Sequence, residues 1–293
     1  NSNFMLLSTS IKLIRDYFYM FQTFIIVLLN SKSIVYYYNL NKRQIFILRL
    51  LNLFLARFNI KPNLIQADGF VLNKSQLLQF KRLLVFSEIM QSHYLKYNKN
   101  VKFSLPIVRK SNLKYCPTYK YNKNKRINIV HCGAISSYNL PVNYLNKIID
   151  LCVKNKNIFV RFTTSQNKVP NYFLKLAKTF PPNIKLIGKC GEQELKLLLE
   201  RADFALDLRC DFKENLTNSD FPSKLFFYMK YDLYIFSTIM KSIPEEISSF
   251  LIPFERINNL DKINFETYKS KISNGLKFIE KNALDVKILE DIL

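Results

Sequence analysis

Residues 216–229 (LTNSDFPSKLFFYM) hold the densest set of chemically capable side chains in this 293-residue sequence. Pro222 suits the first position of a helix and Asp220 the cap just outside it. Ser223 and Lys224 then place a hydroxyl and an ammonium at a helix start, where free N–H groups gather and a diphosphate can be held. Capping accounts for Asp220 and Pro222. It does not account for Lys224, because a cation in the first turn opposes the helix dipole. An anionic partner is therefore expected here, with Asn218 and Ser219 completing the polar run.

Three more strand ends carry polar or bare positions. Gly133, one of only five glycines, directly follows an apolar run, and a missing side chain there lets backbone N–H groups approach a phosphate. Thr163, Thr164 and Ser165 offer hydroxyls at a second strand end, where turn and cap duties are the competing explanation. Gly188, Lys189, Cys190 and Gly191 follow a third, which an ordinary strand-to-helix turn also explains. Asp68, beside Gly69, is a candidate for acceptor positioning or base work, with turn capping the commoner role for such a residue. His131 precedes Gly133, and a structural histidine is its commoner role. His93 is expected at a surface. Asp203 and Asp207 flank a strand and read first as caps. No His/Cys/Asp/Glu spacing matches a metal site, and no Walker loop or Gly-x-Ser-x-Gly element is present.

The elements that must position these residues alternate along the chain. In the N-terminal half, residues 11–29 and 42–58 read as apolar helices, and a further helix runs from Glu88 to about Tyr97. Residues 33–38, 63–67 and 81–87 read as strands, with a short extended segment at 101–108. Residues 109–126 are basic and without period, which marks a linker at 109–125. The alternation then restarts: strands at 126–131, 158–162, 183–188, 204–208 and 233–237, and helices at 143–155, 171–180, 192–201, 223–229 and 265–280. Strands alternating with helices specify parallel sheets covered on both faces. The expected class is α/β, with two Rossmann-like domains facing across a cleft: 1–108, short or truncated, and 126–293, whose last helix packs back on the first domain.

Charge is unevenly spread. The chain carries 44 Lys+Arg against 22 Asp+Glu, a formal +22. Residues 1–120 hold 18 basic residues and three acids (Asp16, Asp68, Glu88), which is +15, whereas residues 121–293 carry only +7. A codon bias towards Lys acts along a whole gene and would not strip acids from one half. The N-terminal half is therefore expected to meet something anionic: a phospholipid surface, a phosphorylated acceptor or nucleic acid. The apolar run 17–29 has 13 residues, short of the roughly 18–20 that span a bilayer, and no small-residue cleavage site follows it. Five scattered cysteines suit a reducing compartment. A cytoplasmic protein, peripheral on the inner face of a membrane, is expected.

Strand–Gly133, then Ile187-Gly-Lys189, residues 194–207, residues 221–229 and Ile235-Phe-Ser237 together resemble the nucleotide-sugar-binding half of a GT-B glycosyltransferase. The likeness is greatest to the retaining, metal-independent group acting on bacterial surface polysaccharides, and covers about residues 126–245. The resemblance implies a donor nucleotide-diphosphate sugar held by the C-terminal domain. Gly133 would lie near its phosphates and Gly188, Lys189 and Cys190 near its base. Asn218, Ser219 and Asp220 would lie near its sugar, with Ser223 and Lys224 by the diphosphate and Thr164 at the neighbouring strand end. Catalytic roles fall to Asp68 and Lys224. The donor is a co-substrate and no cofactor or metal is expected; the acceptor would be a glycan or lipid-linked. Two positions depart from the family: Phe227 stands where many relatives carry a ribose-gripping Glu, and Ala134 and Ile135 stand where many carry a basic residue. Two other readings stay open, a basic nucleic-acid-binding α/β protein and a non-catalytic relative of the transferases.

Overall fold

The apolar strands assemble into two parallel sheets. The computed structural model describes residues 36–38, 63–66, 72–105, 115–118, 125–137, 139–164, 169–209, 222–238 and 243–283. They fall into two units that divide between Ser104 and Leu105. The expected helices at 11–29 and 42–58, most of the linker and residues 284–293 lie outside the described residues, as do Asp68, Ser165, Asn218, Ser219 and Asp220.

In the first unit, β1 (Tyr36–Tyr38), β2 (Asn63–Gln66), β3 (Leu83–Val85) and β4 (Val101–Phe103) pair in sequential order, all parallel. Helix α2 (Glu88–Leu95) buries Met90 and Tyr94. A short helix unforeseen from the sequence, α1 (Lys74–Leu77), is fixed by a reciprocal cap: the Asn73 side chain accepts from Gln76 N, and the Gln76 side chain accepts from Asn73 N. The Asn-x-x-Gln spacing was its only signal.

The second unit is a six-stranded parallel sheet of order β10-β9-β8-β5-β6-β7. Its strands are β5 (Ile127–Cys132), β6 (Ile158–Thr163), β7 (Ile184–Gly188), β8 (Phe204–Asp207), β9 (Tyr234–Ser237) and β10 (Ile252–Pro253). Its helices are α3 (Val142–Lys154), α4 (Asn171–Ala177), α5 (Glu192–Glu200), α6 (Lys224–Met229), α7 (Glu245–Ser248) and α8 (Phe265–Asn282), with a 3-10 stretch Phe254–Lys262. Proline sets the start of three helices: the carbonyls of Pro141, Pro170 and Pro244 accept from Leu145, Leu174 and Ser248. Every residue of β8 and β9 is buried, as two-sided cover of a parallel sheet requires. Alternation puts Ile127, Ile129, Phe204, Leu206 and Leu208 into the main apolar core. Asn183 ties that core's edge, donating through Nδ2 to the carbonyls of Cys152 (2.9 Å) and Ile158 (2.7 Å).

From β5 the chain runs outward through β6 to β7, then returns to lay β8 on the other side of β5 and runs outward again through β9 to β10. The order therefore reverses between β5 and β8, and the crevice beyond those two strand ends is where open α/β sheets bind ligands. No helix among the described residues is long and apolar enough to cross a membrane.

Helix α8 lies so close to α7 that one residue has no room for a side chain. A methyl on Gly275 would overlap the Phe250 ring and come within 2.8 Å of the Glu246 carbonyl oxygen. Alanine gains about 1 kcal/mol of helix propensity, but overpacking against backbone costs about 1–3 kcal/mol. Gly275→Ala should lower the melting temperature; an unchanged or raised value would show that α8 is free to shift.

Candidate functional site

Three segments meet at the reversal point. The β5 end carries Cys132 and Gly133, the β8 end carries Asp207 and Arg209, and α6 begins with Lys224. Helix α6 is six residues long, starting one residue later than its apolar period suggests, and Ser223 makes no side-chain cap. Ser223 is exposed. So short a helix adds little dipole, and what distinguishes Lys224 is where its side chain goes.

That side chain lies on Gly133. A Cβ built on Gly133 would sit 2.9 Å from Lys224 Cε and 3.1 Å from Nζ. Gly133 also has φ +115, a conformation side chains rarely allow. Both facts require glycine here, and the two residues singled out separately in the sequence are in contact. The lysine is half-buried as a whole, but its Nζ is fully covered and has no hydrogen-bond partner among the described residues. Burial lowers the pKa of this ammonium, Asp207 raises it and Arg209 lowers it.

Tyr228, one helical turn beyond Lys224 on the same face, fixes the helix to both strands. Its hydroxyl oxygen accepts from Cys132 N (2.9 Å) and lies 3.2 Å from the Leu206 carbonyl, to which it donates. This one buried hydroxyl sets the depth at which Lys224 meets the strand ends. Its role was not legible from the sequence, where Tyr228 is one of many aromatics.

Asp207 and Arg209 are two apart at a strand end and share the face opposite Leu206 and Leu208. Asp207 is 1% exposed and Arg209 8%. Their closest approach, Arg209 Nε to Asp207 Oδ1, is 3.7 Å, an ion pair beyond hydrogen-bonding distance. Among the described residues, both Asp207 oxygens and Arg209 Nε lack a hydrogen-bond partner. Asp207 thus joins the site, while Asp203 is a cap, accepting from Asn128 N at 2.8 Å.

The other sequence candidates are placed as follows. Thr164 is buried and its N–H donates to the Gly188 carbonyl (2.9 Å), tying β6 to β7. Gly188 has φ +77 with open space where a Cβ would stand, so the turn needs it but no close neighbour does. Lys189 is exposed and Cys190 half-buried. Burial raises the pKa of the Cys132 and Cys190 thiols, which keeps them protonated and poorly nucleophilic. The Thr163 side chain favours the ionised form of both, against that larger effect. Phe227 is half-buried and packs edge-on against Tyr231. Among the described residues no group of three His, Cys, Asp or Glu is placed to hold a metal ion. His93 packs against Tyr94 and Tyr97.

His131 is wholly buried beside Phe162, and among the described residues neither ring nitrogen finds a hydrogen bond of full geometry. The nearby Asn139 backbone favours its charged form, but burial and the Lys224 charge outweigh this and push its pKa down to about 3. The ring is neutral and serves the core under the Gly133 loop.

No family model and no curated protein matches the sequence. Solved structures match in fold. A mutant of S. aureus TarM, solved with fondaparinux, alpha-GlcNAc-glycerol and UDP, aligns over 77% of this chain and 48% of its own, at 12% identity and TM-score 0.51. The lipopolysaccharide outer core galactosyltransferase WaaB aligns over 93% and 82%, at 10% identity and TM-score 0.51. The alpha,alpha-trehalose 6-phosphate synthase of Burkholderia multivorans aligns over 90% and 71%, at 8% identity and TM-score 0.63. This chain thus spans about half the length of TarM. The described residues have the α/β, parallel-sheet fold of these GT-B structures, as the sequence motifs suggested.

A histidine neutral when folded and ordinary when unfolded makes stability depend on pH. Its folded pKa of about 3 lies below the unfolded 6.5, so between these values the unfolded chain binds one more proton. Stability is then lost as pH falls from about 6.5 towards 3, by at most about 1.4 kcal/mol per unit from this group. His131→Leu should flatten the stability profile between pH 6.5 and 4 by up to that slope. Parallel wild-type and variant profiles in urea melts would show that the ring can be protonated in place.

Proposed function

We propose that this chain is a glycosyltransferase that moves a sugar from a nucleotide-diphosphate donor to a glycan or lipid-linked acceptor in surface polysaccharide synthesis. The observation that carries this reading is the Lys224 ammonium lying on the bare backbone of Gly133 at the point where the strand order reverses. A covered cation with no hydrogen-bond partner among the described residues, beside main chain that only glycine permits, suits the diphosphate of a donor. The fold likeness, and the UDP present in the TarM structure, support the same class of ligand.

In this reading Lys224 is the catalytic residue that touches the leaving group. As the bond from the sugar to the diphosphate breaks, negative charge builds on the departing phosphate oxygen. A preorganised ammonium in a covered site stabilises that charge more than water would. Lys224 supplies the charge, so the reading requires neither metal nor cofactor. Ser223, Gly188, Lys189, Cys190, Thr164, Asn218, Ser219 and Asp220 remain proposed donor contacts. Asp68 remains the proposed residue for acceptor positioning or base work. The +15 of residues 1–120 would bring the enzyme to an anionic membrane surface or acceptor, on the cytoplasmic side where nucleotide sugars are made.

Thermal melts against a panel of nucleotides and nucleotide sugars test the assignment. A diphosphate ligand at a hundredfold its Kd should add about 2.7 kcal/mol of stability. Lys224→Ala should lower transfer by about a hundredfold or more, the loss seen when one stabilising group of a leaving charge is removed. No shift with any nucleotide, together with tight, salt-sensitive oligonucleotide binding, would favour the nucleic-acid reading instead. Binding of nucleotide sugars without turnover would favour the non-catalytic relative, to which Phe227 points.

A further inference from the structure

We propose that Arg209 is a second phosphate-binding cation of this site and that Asp207 is its resting counter-ion, from which a phosphate takes it over. The inference rests on the proposed function and adds to it a residue that no sequence motif marked.

The geometry begins with a fixed backbone. Arg209 N donates to Thr238 Oγ1 at 2.9 Å, and the same hydroxyl donates back to the Arg209 carbonyl at 3.0 Å. Thr238 N in turn donates to the Asp207 carbonyl at 3.3 Å. The segment beyond β8 is thus clamped to the end of β9, and the Arg209 side chain starts from a defined point. It is nine-tenths buried, as is Asp207.

Within that frame the charged groups are close but unsatisfied. Asp207 stands 3.7 Å from Arg209 Nε, and among the described residues its two oxygens, Arg209 Nε and Lys224 Nζ are all without hydrogen-bond partners. Buried charges left without hydrogen bonds are costly. One carboxylate, paired with Arg209 at 3.7 Å and acting on Lys224 only through its field, does not meet that demand. Two cations and one anion leave a net positive charge facing the Gly133 backbone. A phosphate group brings negative charge and several acceptor oxygens, which matches the deficit. A guanidinium fork suits phosphate geometry better than a point charge does. The motif departure at Ala134 and Ile135 fits this arrangement, because the second cation comes from β8 and not from the loop after Gly133.

Calorimetric titration of the full chain with inorganic pyrophosphate and with UDP tests the proposal. Arg209→Gln should weaken pyrophosphate about ten- to a hundredfold, the range expected for losing a hydrogen bond to a charged group. Arg209→Lys should weaken it less. Asp207→Asn should tighten pyrophosphate, because the internal competitor is gone. Folding of each variant is checked by its melting curve, and if Arg209→Gln does not fold, the lysine variant decides. Affinity equal to wild type in the folded Arg209 variant overturns the cation assignment, while Lys224→Ala still weakening UDP leaves the proposed function standing. Weaker binding by Asp207→Asn overturns the counter-ion assignment. A wild-type chain that binds neither pyrophosphate nor UDP overturns the phosphate site and the proposed function together.

Discussion

A covered ammonium resting on a bare glycine is the constraint around which the second unit is arranged. Burying a cation without a hydrogen-bonded partner costs free energy, and Lys224 persists there because its surroundings leave no alternative. The stem is held by a helix whose next turn is fastened to two strands through Tyr228. Gly133 removes the one side chain that would push it out. Asp207 offsets part of the cost at a distance and does not quench the charge. Such a site stores an unmet demand for an anion, and that demand is what a ligand relieves on binding.

The sheet order gives that demand its location. At most strand ends of a parallel sheet, the next connection crosses over and covers the opening. Between β5 and β8 the connections leave in opposite directions, and the crevice at such a reversal is where open α/β sheets bind ligands. The residues that use the gap come from three places: the loop after β5, the end of β8 and the start of α6. The Thr238 clamp on Arg209 brings in the end of β9 as well. Polar groups with two or more fixed attachments hold their geometry before a ligand arrives, which is the condition for electrostatic catalysis.

Much of the second unit was legible in the sequence because its strands are apolar runs, those of β5, β6 and β7 bounded by Gly or Asn. The observed β5, β6, β7, β8 and β9 begin and end within one or two residues of the runs. The 3-10 stretch Phe254–Lys262 and the two-residue β10 escaped because neither has a period long enough to read. Lys224 was legible as an anomaly, a cation at a helix start. The helix proved too short for the dipole argument to have much weight, so the residue stands for another reason, its burial on Gly133. That contact joins residues far apart in the chain and has no local signature. Arg209 carried no motif, and its neighbour Asp207 read first as a cap; the two share a face because residues two apart on a strand do. What turned it from cap chemistry into a site was burial, and burial depends on neighbours that one sequence does not show.

The distribution of charge now separates into two kinds with different physics. Exposed lysines and arginines act through a screened field that falls off within about 10 Å at ordinary ionic strength, so they influence encounter and surface association. Lys224 and Arg209 are covered, so salt screens them little and their geometry decides what they hold. Net charge therefore says little about the site. The half with only +7 contains the cations whose solvent has been removed, and removal of solvent makes a charge selective for a ligand of matching shape. The +15 half carries the excess that a membrane or an acidic acceptor would feel. In the proposed reading, one molecule is drawn to a surface by its sum of charges and selects its ligand through two of them.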